Sequence, residues 1–233
     1  MIMLSGTKGF LTIWHGLDPS GRKEWEKWHT IEHMPERVGI PGFLAGRRYM
    51  NEDKEGQCCF TLYEATNISV FRSEAYLERL NNPTPWTQEV AHAFRNFTRG
   101  ACRRIATAGS KKNYGGAALT FRLLKNENFR EDEQTIDNLQ KTADKISQIN
   151  IVTNINIGLS DPEVTKTETK ERTLRKGTNE TSLDGVFVIE GYDPDLLQAE
   201  IKTIEKIVLD SKLSLSTEPA QIHKLAYVLL KEE

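Results

Sequence analysis

Cysteine is scarce: Cys58, Cys59 and Cys102 are the three in 233 residues. They are too few and too unevenly spaced for a disulfide framework or a cysteine zinc site, so all three read as reduced thiols. Successive side chains of a strand point to opposite faces, and Cys58 and Cys59 are not expected to serve one site together. Long apolar runs are also missing, and no stretch approaches the roughly 20 apolar residues of a membrane span. Neither sign of charge dominates: 31 Lys and Arg are scattered among 33 Asp and Glu, which leaves no basic stripe for nucleic acid. A Gly-rich phosphate loop, a dinucleotide fingerprint and a Gly-x-Ser-x-Gly elbow are absent, which argues against nucleotide cofactors and a serine hydrolase. The opening "MIMLSGTKGFLTIW" holds neither a basic leader nor a signal-peptide apolar run, and the expected location is the cytoplasm.

What is present is an alternation of strand and helix patterns that runs through the same order twice. The first round has strand "GFLTIWH", a helix from about Ser20 to Met34, strands "GFLAGRRYM" and "QCCFTLYEA", helical "ISVFRSEAYLERLN" and "TPWTQEVAHAFRNF", and strand "GACRRIATA". After the breaker-rich "GSKKNYGG" come strand "AALTFRLL", a helix from about Arg130 to Gln148, strands "NIVTNINIGL" and "GVFVIEGY", a helix from about Pro194 to Ser211, and strand "HKLAYVLLK". Each round is a β-α-β-β-α-β, ferredoxin-like unit with both helices on one face of an antiparallel sheet. "QCCFTLYEA", "GVFVIEGY" and "LAYVLL" carry apolar residues at both parities, so the other sheet face needs cover as well. The expected architecture is α+β: repeats 1–112 and 113–233 pairing their sheets into a barrel inside one chain, as a monomer with an internal pseudo-dimer or as a homodimer. The polar stretch at about 160–183 reads as an unstructured loop or flap, disorder being the simpler reading.

The residues that carry chemistry gather in "WHTIEHMPERVGIPGF", Trp28 to Phe43. On an α-helix, Trp25, Trp28 and Glu32 share a stripe, with His29 beside it and His33 one step further round. Pro35 cannot extend the hydrogen-bond ladder, so the helix is expected to end or kink near Met34. That would put His33 at a helix C-terminus, where a protonated imidazole is favoured by roughly 0.3–1 kcal/mol. "HTIEH" also satisfies the inverted zincin spacing, His29 and His33 as ligands with Glu32 as base. Pro35 and the lack of a third ligand stand against zinc. On the strand from Phe43 to Met50, alternation puts Arg47 and Tyr49 on one face and Arg48 on the other, with at least one arginine bordering a cavity suited to a carboxylate or enolate. Trp14 and His15 likewise face opposite sides. An ordinary amphipathic helix end with rim salt bridges would give the same pattern.

The segment "EWEKWHTIEHMPERVGIPGFLAGRRY", ending at Tyr49, resembles the helix-to-second-strand signature of the EthD-like families of the dimeric α+β barrel superfamily. A Trp, a Glu-His pair, a Pro and a Pro-Gly-Phe lead there into an Arg-Arg-Tyr strand. The resemblance implies a barrel of paired ferredoxin-like sheets, and it implies that His33 faces the cleft between helix and sheet. Relatives include isomerases, cyclases, monooxygenases and haem-dependent enzymes, and a shared fold does not by itself assign chemistry. The expected function is acid/base catalysis without a cofactor, as an isomerase, cyclase, lyase or ring hydrolase, on a cyclic or aromatic organic acid. His33, Glu32 and His29 would be catalytic; Arg47, Arg48, Tyr49, Trp28 and Trp14 would bind substrate. The alternatives are a non-catalytic or haem-dependent binder of a hydrophobic ligand, and a zinc hydrolase.

Overall fold

The computed structural model describes residues 8–53, 56–110, 114–124, 129–175, 177–178, 180–211, 214–215 and 219–232. The boundary drawn between residues 112 and 113 lies outside the described residues. The first half of the chain carries β1 (Gly9–Leu17), α1 (Arg22–Trp28), α2 (Met34–Val38), β2 (Phe43–Met50), β3 (Cys59–Ala65), α3 (Glu74–Asn81), α4 (Pro85–Val90) and β4 (Phe94–Gly109). Next come β5 (Ala117–Leu124), α5 (Glu133–Ser147), β6 (Val152–Ser160), α6 (Pro162–Thr165), α7 (Lys170–Leu174), β7 (Thr181–Ser182) and β8 (Gly185–Gly191). The chain closes with α8 (Pro194–Ala199), α9 (Ile201–Asp210), β9 (Ser214–Leu215) and β10 (Gln221–Leu230).

Eight antiparallel strands form one closed barrel, in the order β1-β3-β2-β10-β5-β8-β6-β4 and back to β1. The strands of the first half lie in the order β4-β1-β3-β2 and those of the second in the order β6-β8-β5-β10. Two seams join them: β10 pairs with β2, and β4 with β6. Closure leaves no bare edge among these eight and gives every strand an inner and an outer face. β8 is buried along its whole length, as its two-sided apolar pattern requires. The "LAYVLL" run of β10 is not: it is only half-buried, with Ala226 and Leu230 exposed. β4 begins at Phe94, six residues before the expected strand, because "FRNF" continues the ladder with β1 instead of the preceding helix.

The barrel interior is part apolar and part ionic. Trp14 stacks on Phe60 at 4.9 Å, and its indole N–H donates to Thr120 Oγ1 at 3.3 Å across the barrel. Arg47 and Glu190 are both fully buried, 3.4 Å apart. The Tyr49 hydroxyl donates to Glu190 at 2.5 Å and accepts from Arg47 Nε at 3.1 Å; Asn154 Nδ2 donates to the other Glu190 oxygen at 3.1 Å. Burial works against the Arg47 charge, but Glu190, Tyr49 and Glu64 hold it in place. On the outer side of the second half, α5, α8 and α9 fill the space over the sheet with Leu139, Ala143, Ile146, Leu197, Ile204 and Val208.

Removing one member of a buried ion pair strands the other, which costs roughly 3–5 kcal/mol. Glu190→Ala is therefore expected to lower unfolding stability by about that amount in urea titrations.

Candidate functional site

The helix that opens the chain's chemistry does not stop at Pro35. α1 passes into a π-helical turn, His29–His33, and continues as α2 to Val38. The Met34 N–H reaches back five residues to the His29 carbonyl, the π bond. A proline inside a helix has no N–H to give and crowds the carbonyl four residues back. The wider turn takes up that misfit, and such π-bulges recur at functional sites. Trp25, Trp28, Met34, Arg37 and Val38 form the buried side of the run. Its final carbonyls, Gly39 and Ile40, accept from Lys231 Nζ at 3.2 and 2.9 Å. Gly46 on β2 lets the helix come close, since a Cβ there would stand 2.6 Å from Met34 Cε.

Between this helix and the outer face of β1, β3 and β4 lies a cavity of about 60 Å³. Its apolar walls include Leu11, Ile13, Trp28, Phe43, Phe94 and Phe97. Its polar lining is His15, His29, His33, Arg37, Thr61, Tyr63, Tyr76, Thr87, Arg99, Glu171 and Arg175. The last two come from the stretch expected to be an unstructured loop. Its described part instead forms α6, α7 and β7, and β7 adds to β4 in parallel. Arg99 donates to the carbonyls of Val164 and Thr165 at 3.2 and 2.8 Å, Lys170 N–H to Asn81 Oδ1 at 3.2 Å, and Arg37 pairs with Glu171. These bonds hold α7 as a ceiling over the first half's cleft.

The three imidazoles sit in a run of rings: His15 to Trp25 at 4.9 Å, Trp25 to His29 at 4.7 Å, His29 to His33 at 5.5 Å and His33 to Trp28 at 4.3 Å. Burial drives the His15 pKa down to about 3, and burial with Arg48 and Arg37 nearby pushes His29 and His33 well below the usual range. All three are therefore neutral at pH 7. Gly16 O can only accept, so His15 Nδ1 carries the proton in their 3.0 Å bond. Arg48 can only donate, so in its 3.5 Å contact with His29 the imidazole Nδ1 accepts. Burial works against the Arg37 charge, while Glu171, Tyr76 and Glu36 keep it, and burial pushes the Tyr63 phenol up. Four polar atoms of the lining are buried and find no hydrogen-bond partner among the described residues: His33 Nδ1, Thr61 Oγ1, Tyr63 OH and Arg175 Nε. Each such orphan costs roughly 1–3 kcal/mol unless a ligand or water meets it.

The structure divides the residues singled out from sequence. His29, His33 and Trp28 line the cavity; Arg48 lies behind His29, bonded to Glu26 O at 3.3 Å and Thr30 Oγ1 at 3.0 Å. Arg47, Tyr49 and Trp14 lie inside the barrel, apart from the imidazoles. A bulge between Phe43 and Ala45 resets the alternation of β2, so Phe43 does not share a face with Arg47 and Tyr49. Glu32 does not line the cavity: it accepts from Thr84 Oγ1 at 2.6 Å and ties the π turn to the start of α4. With Glu32 turned away, the zincin geometry fails, and no cluster of three or more His, Cys, Asp or Glu that could hold a metal occurs among the described residues. His33 is not at a helix C-terminus, and the protonated form expected there is corrected to a neutral one by burial. Arg37, Thr61, Tyr76, Arg99, Glu171 and Arg175 escaped sequence reading. The one signal for the last two was the i, i+4 Glu171–Arg175 spacing inside an apparent loop.

No family model matches the chain, and no curated protein does. Solved structures do. An anthrone oxidase-like protein superposes with a TM-score of 0.65 at 7% identity, covering 98% of this chain and 94% of its own. A protein assigned as a monooxygenase, from Fusobacterium nucleatum, gives 0.59 at 11% identity, over 98% and 96%. A chlorite dismutase from Candidatus Nitrospira defluvii, in complex with imidazole, gives 0.56 at 8% identity, over 97% and 93%. Identities this low show the fold, the dimeric α+β barrel, and no closer family. They also correct two expectations, cofactor-free isomerase, cyclase, lyase or hydrolase chemistry and a site with no cofactor. These three neighbours carry the names of oxidising and dismutating proteins, and uncharged imidazoles make poor general acids at pH 7. Among the described residues no helix is long and apolar enough to cross a membrane.

Neutral buried histidines make stability depend on pH. Folded pKa values lie below the unfolded value near 6.5, so in between the unfolded chain binds more protons. The stability they contribute is complete above about pH 6.5 and is lost as pH falls towards about 3, the His15 value. Thermal unfolding is expected to show Tm falling steeply between pH 6.5 and 4, with a shallower fall in His15→Phe.

Proposed function

We propose that the chain is an oxidoreductase of the monooxygenase or anthrone-oxidase kind, acting on a small aromatic compound with an acidic oxygen. The observation that carries the reading is the set of four unpartnered atoms, His33 Nδ1, Thr61 Oγ1, Tyr63 OH and Arg175 Nε, on residues that line one cavity with Arg37 beside them. A phenol or enol answers that lining: His33 takes its proton, Thr61 and Tyr63 bond its oxygen, Arg37 and Arg175 hold the anion, and Trp28 and Phe97 flank the ring. Dioxygen, the oxidant of monooxygenase chemistry, then converts the anion to a quinone: one oxygen atom joins a ring carbon as a carbonyl, and the other leaves as water with the two hydrogens the substrate loses. His29, oriented from behind by Arg48, keeps the second imidazole in register. Glu32 positions the helix, and Arg47, Tyr49 and Trp14 maintain the barrel. A cavity of about 60 Å³ is less than half of the roughly 150 Å³ that accepts a benzene ring. Substrate is admitted as α7 withdraws, its acidic oxygen taking the place of the Glu171 carboxylate at Arg37.

Haem, an alternative raised by the sequence, does not fit. Pockets for large ligands measure roughly 300–1,000 Å³, against about 60 Å³ for this cavity. No step is derived through it. The same reading takes the barrel as two ferredoxin-like repeats, 1–112 and 113–233, paired within a monomer and related to EthD-like proteins, with one catalytic half.

Oxygen uptake with dithranol or a simpler hydroxyaromatic tests the proposal. Wild type is expected to consume oxygen, and His33→Ala to lose about 10²–10⁴ of that rate, with circular dichroism unchanged. Equal rates in wild type and variant would overturn it. Added hemin is expected to give no shifted Soret band; a band that disappears in His33→Ala would restore the haem reading.

A further inference from the structure

We propose that Cys58 and Cys59 form a reversible dithiol–disulfide pair, a redox modification site next to the cleft. Alternation along a strand would have separated them, but β3 begins at Cys59, and Cys58 belongs to the turn before it. Their sulfurs stand 3.8 Å apart, and Cys59 Sγ lies 3.4 Å from Met50 Sδ. Cys58 is partly exposed and Cys59 is buried, which gives one thiol that a solution oxidant reaches and one shielded thiol in contact with it. The acidities follow the same division. The Cys59 S–H beside it brings Cys58 down to about 7, with Arg22 adding to the effect, while burial pushes Cys59 up. Cys58 is thus the nucleophile and Cys59 the resolving thiol.

The oxidant is a hydroperoxide. The Cys58 thiolate attacks the peroxide O–O bond, becoming a sulfenic acid and releasing hydroxide or alkoxide; Cys59 sulfur then displaces the sulfenic oxygen, forming the S–S bond and releasing water. The peroxide takes up the two electrons the thiols lose. Adjacent Cα atoms stand about 3.8 Å apart across a trans peptide, closer than the roughly 4.4–6.8 Å of ordinary disulfides. The bridge is therefore strained and easily reduced, the property of labile, regulatory disulfides. Cys59 pairs with His15 on β1 and with Met50 on β2, and it packs with Trp25 and Trp28. Twisting the Cys58–Cys59 peptide acts on the wall that carries the cleft's first imidazole.

The test is mild hydrogen peroxide treatment of the full chain, then denaturation, alkylation with iodoacetamide and peptide mass spectrometry. The expected result is a Cys58–Cys59 peptide lighter by two hydrogens and unalkylated, fully restored by dithiothreitol, while Cys102 stays alkylatable. Cys58→Ser should abolish the change, and Cys59→Ser should leave a sulfenic acid at Cys58 that dimedone traps. The proposal is overturned if both thiols alkylate as in untreated protein, or if Cys58 gains oxygen in wild type without any bridged peptide. These outcomes do not depend on the oxidase reading, whose test is oxygen uptake.

Discussion

A four-stranded antiparallel sheet with helices on one face leaves the other face to be covered, and in this protein that constraint governs everything else. The strands of each half are apolar on both sides, so neither sheet is stable with one face in water. Joining β2 to β10 and β4 to β6 removes the problem and the edges together. The closed interior then admits the Arg47–Glu190–Tyr49 network, because no solvent reaches it to compete for the hydrogen bonds. The imidazole cavity lies on an outer face, under the helices of the first half.

What separates the two outer faces is side-chain volume and the path of one helix. Over the second sheet, leucine, isoleucine and valine from α5, α8 and α9 interlock. Over the first, the π turn brings His29 and His33 to bear on one cavity while the helix continues past Pro35 to its cap at Gly39. The imidazoles arrive uncharged, since burial and nearby guanidinium groups make protonation unfavourable. A neutral base next to fixed positive charge suits a ligand that becomes an anion on losing its proton.

The fold was largely legible in the sequence, and the site only in part. Strand and helix periods give the order of elements, and the two-sided burial of β3 and β8 foretells closure. β10 was misread because a run such as "LAYVLL" carries the same pattern whether or not a helix covers it. Near Pro35 the local rule, that proline ends a helix, lost to tertiary packing of Met34, Arg37 and Val38. The bulge after Phe43 shifted alternation by one residue, enough to move Arg47 from the cleft to the barrel interior. Glu171 and Arg175 were out of reach, since nothing in a polar stretch announces which distant helix it will rest on.

The ceiling over the cleft has a wider consequence. α7 belongs to the second half of the chain but covers the imidazoles of the first, with Arg37 gripping it and Arg99 holding α6 just before it. The two halves are thus not exchangeable modules: a pair of first halves could reproduce the sheet contacts but would lack the roof. Because the halves differ, one side of the barrel can enclose what the other side holds, which a symmetric assembly cannot do.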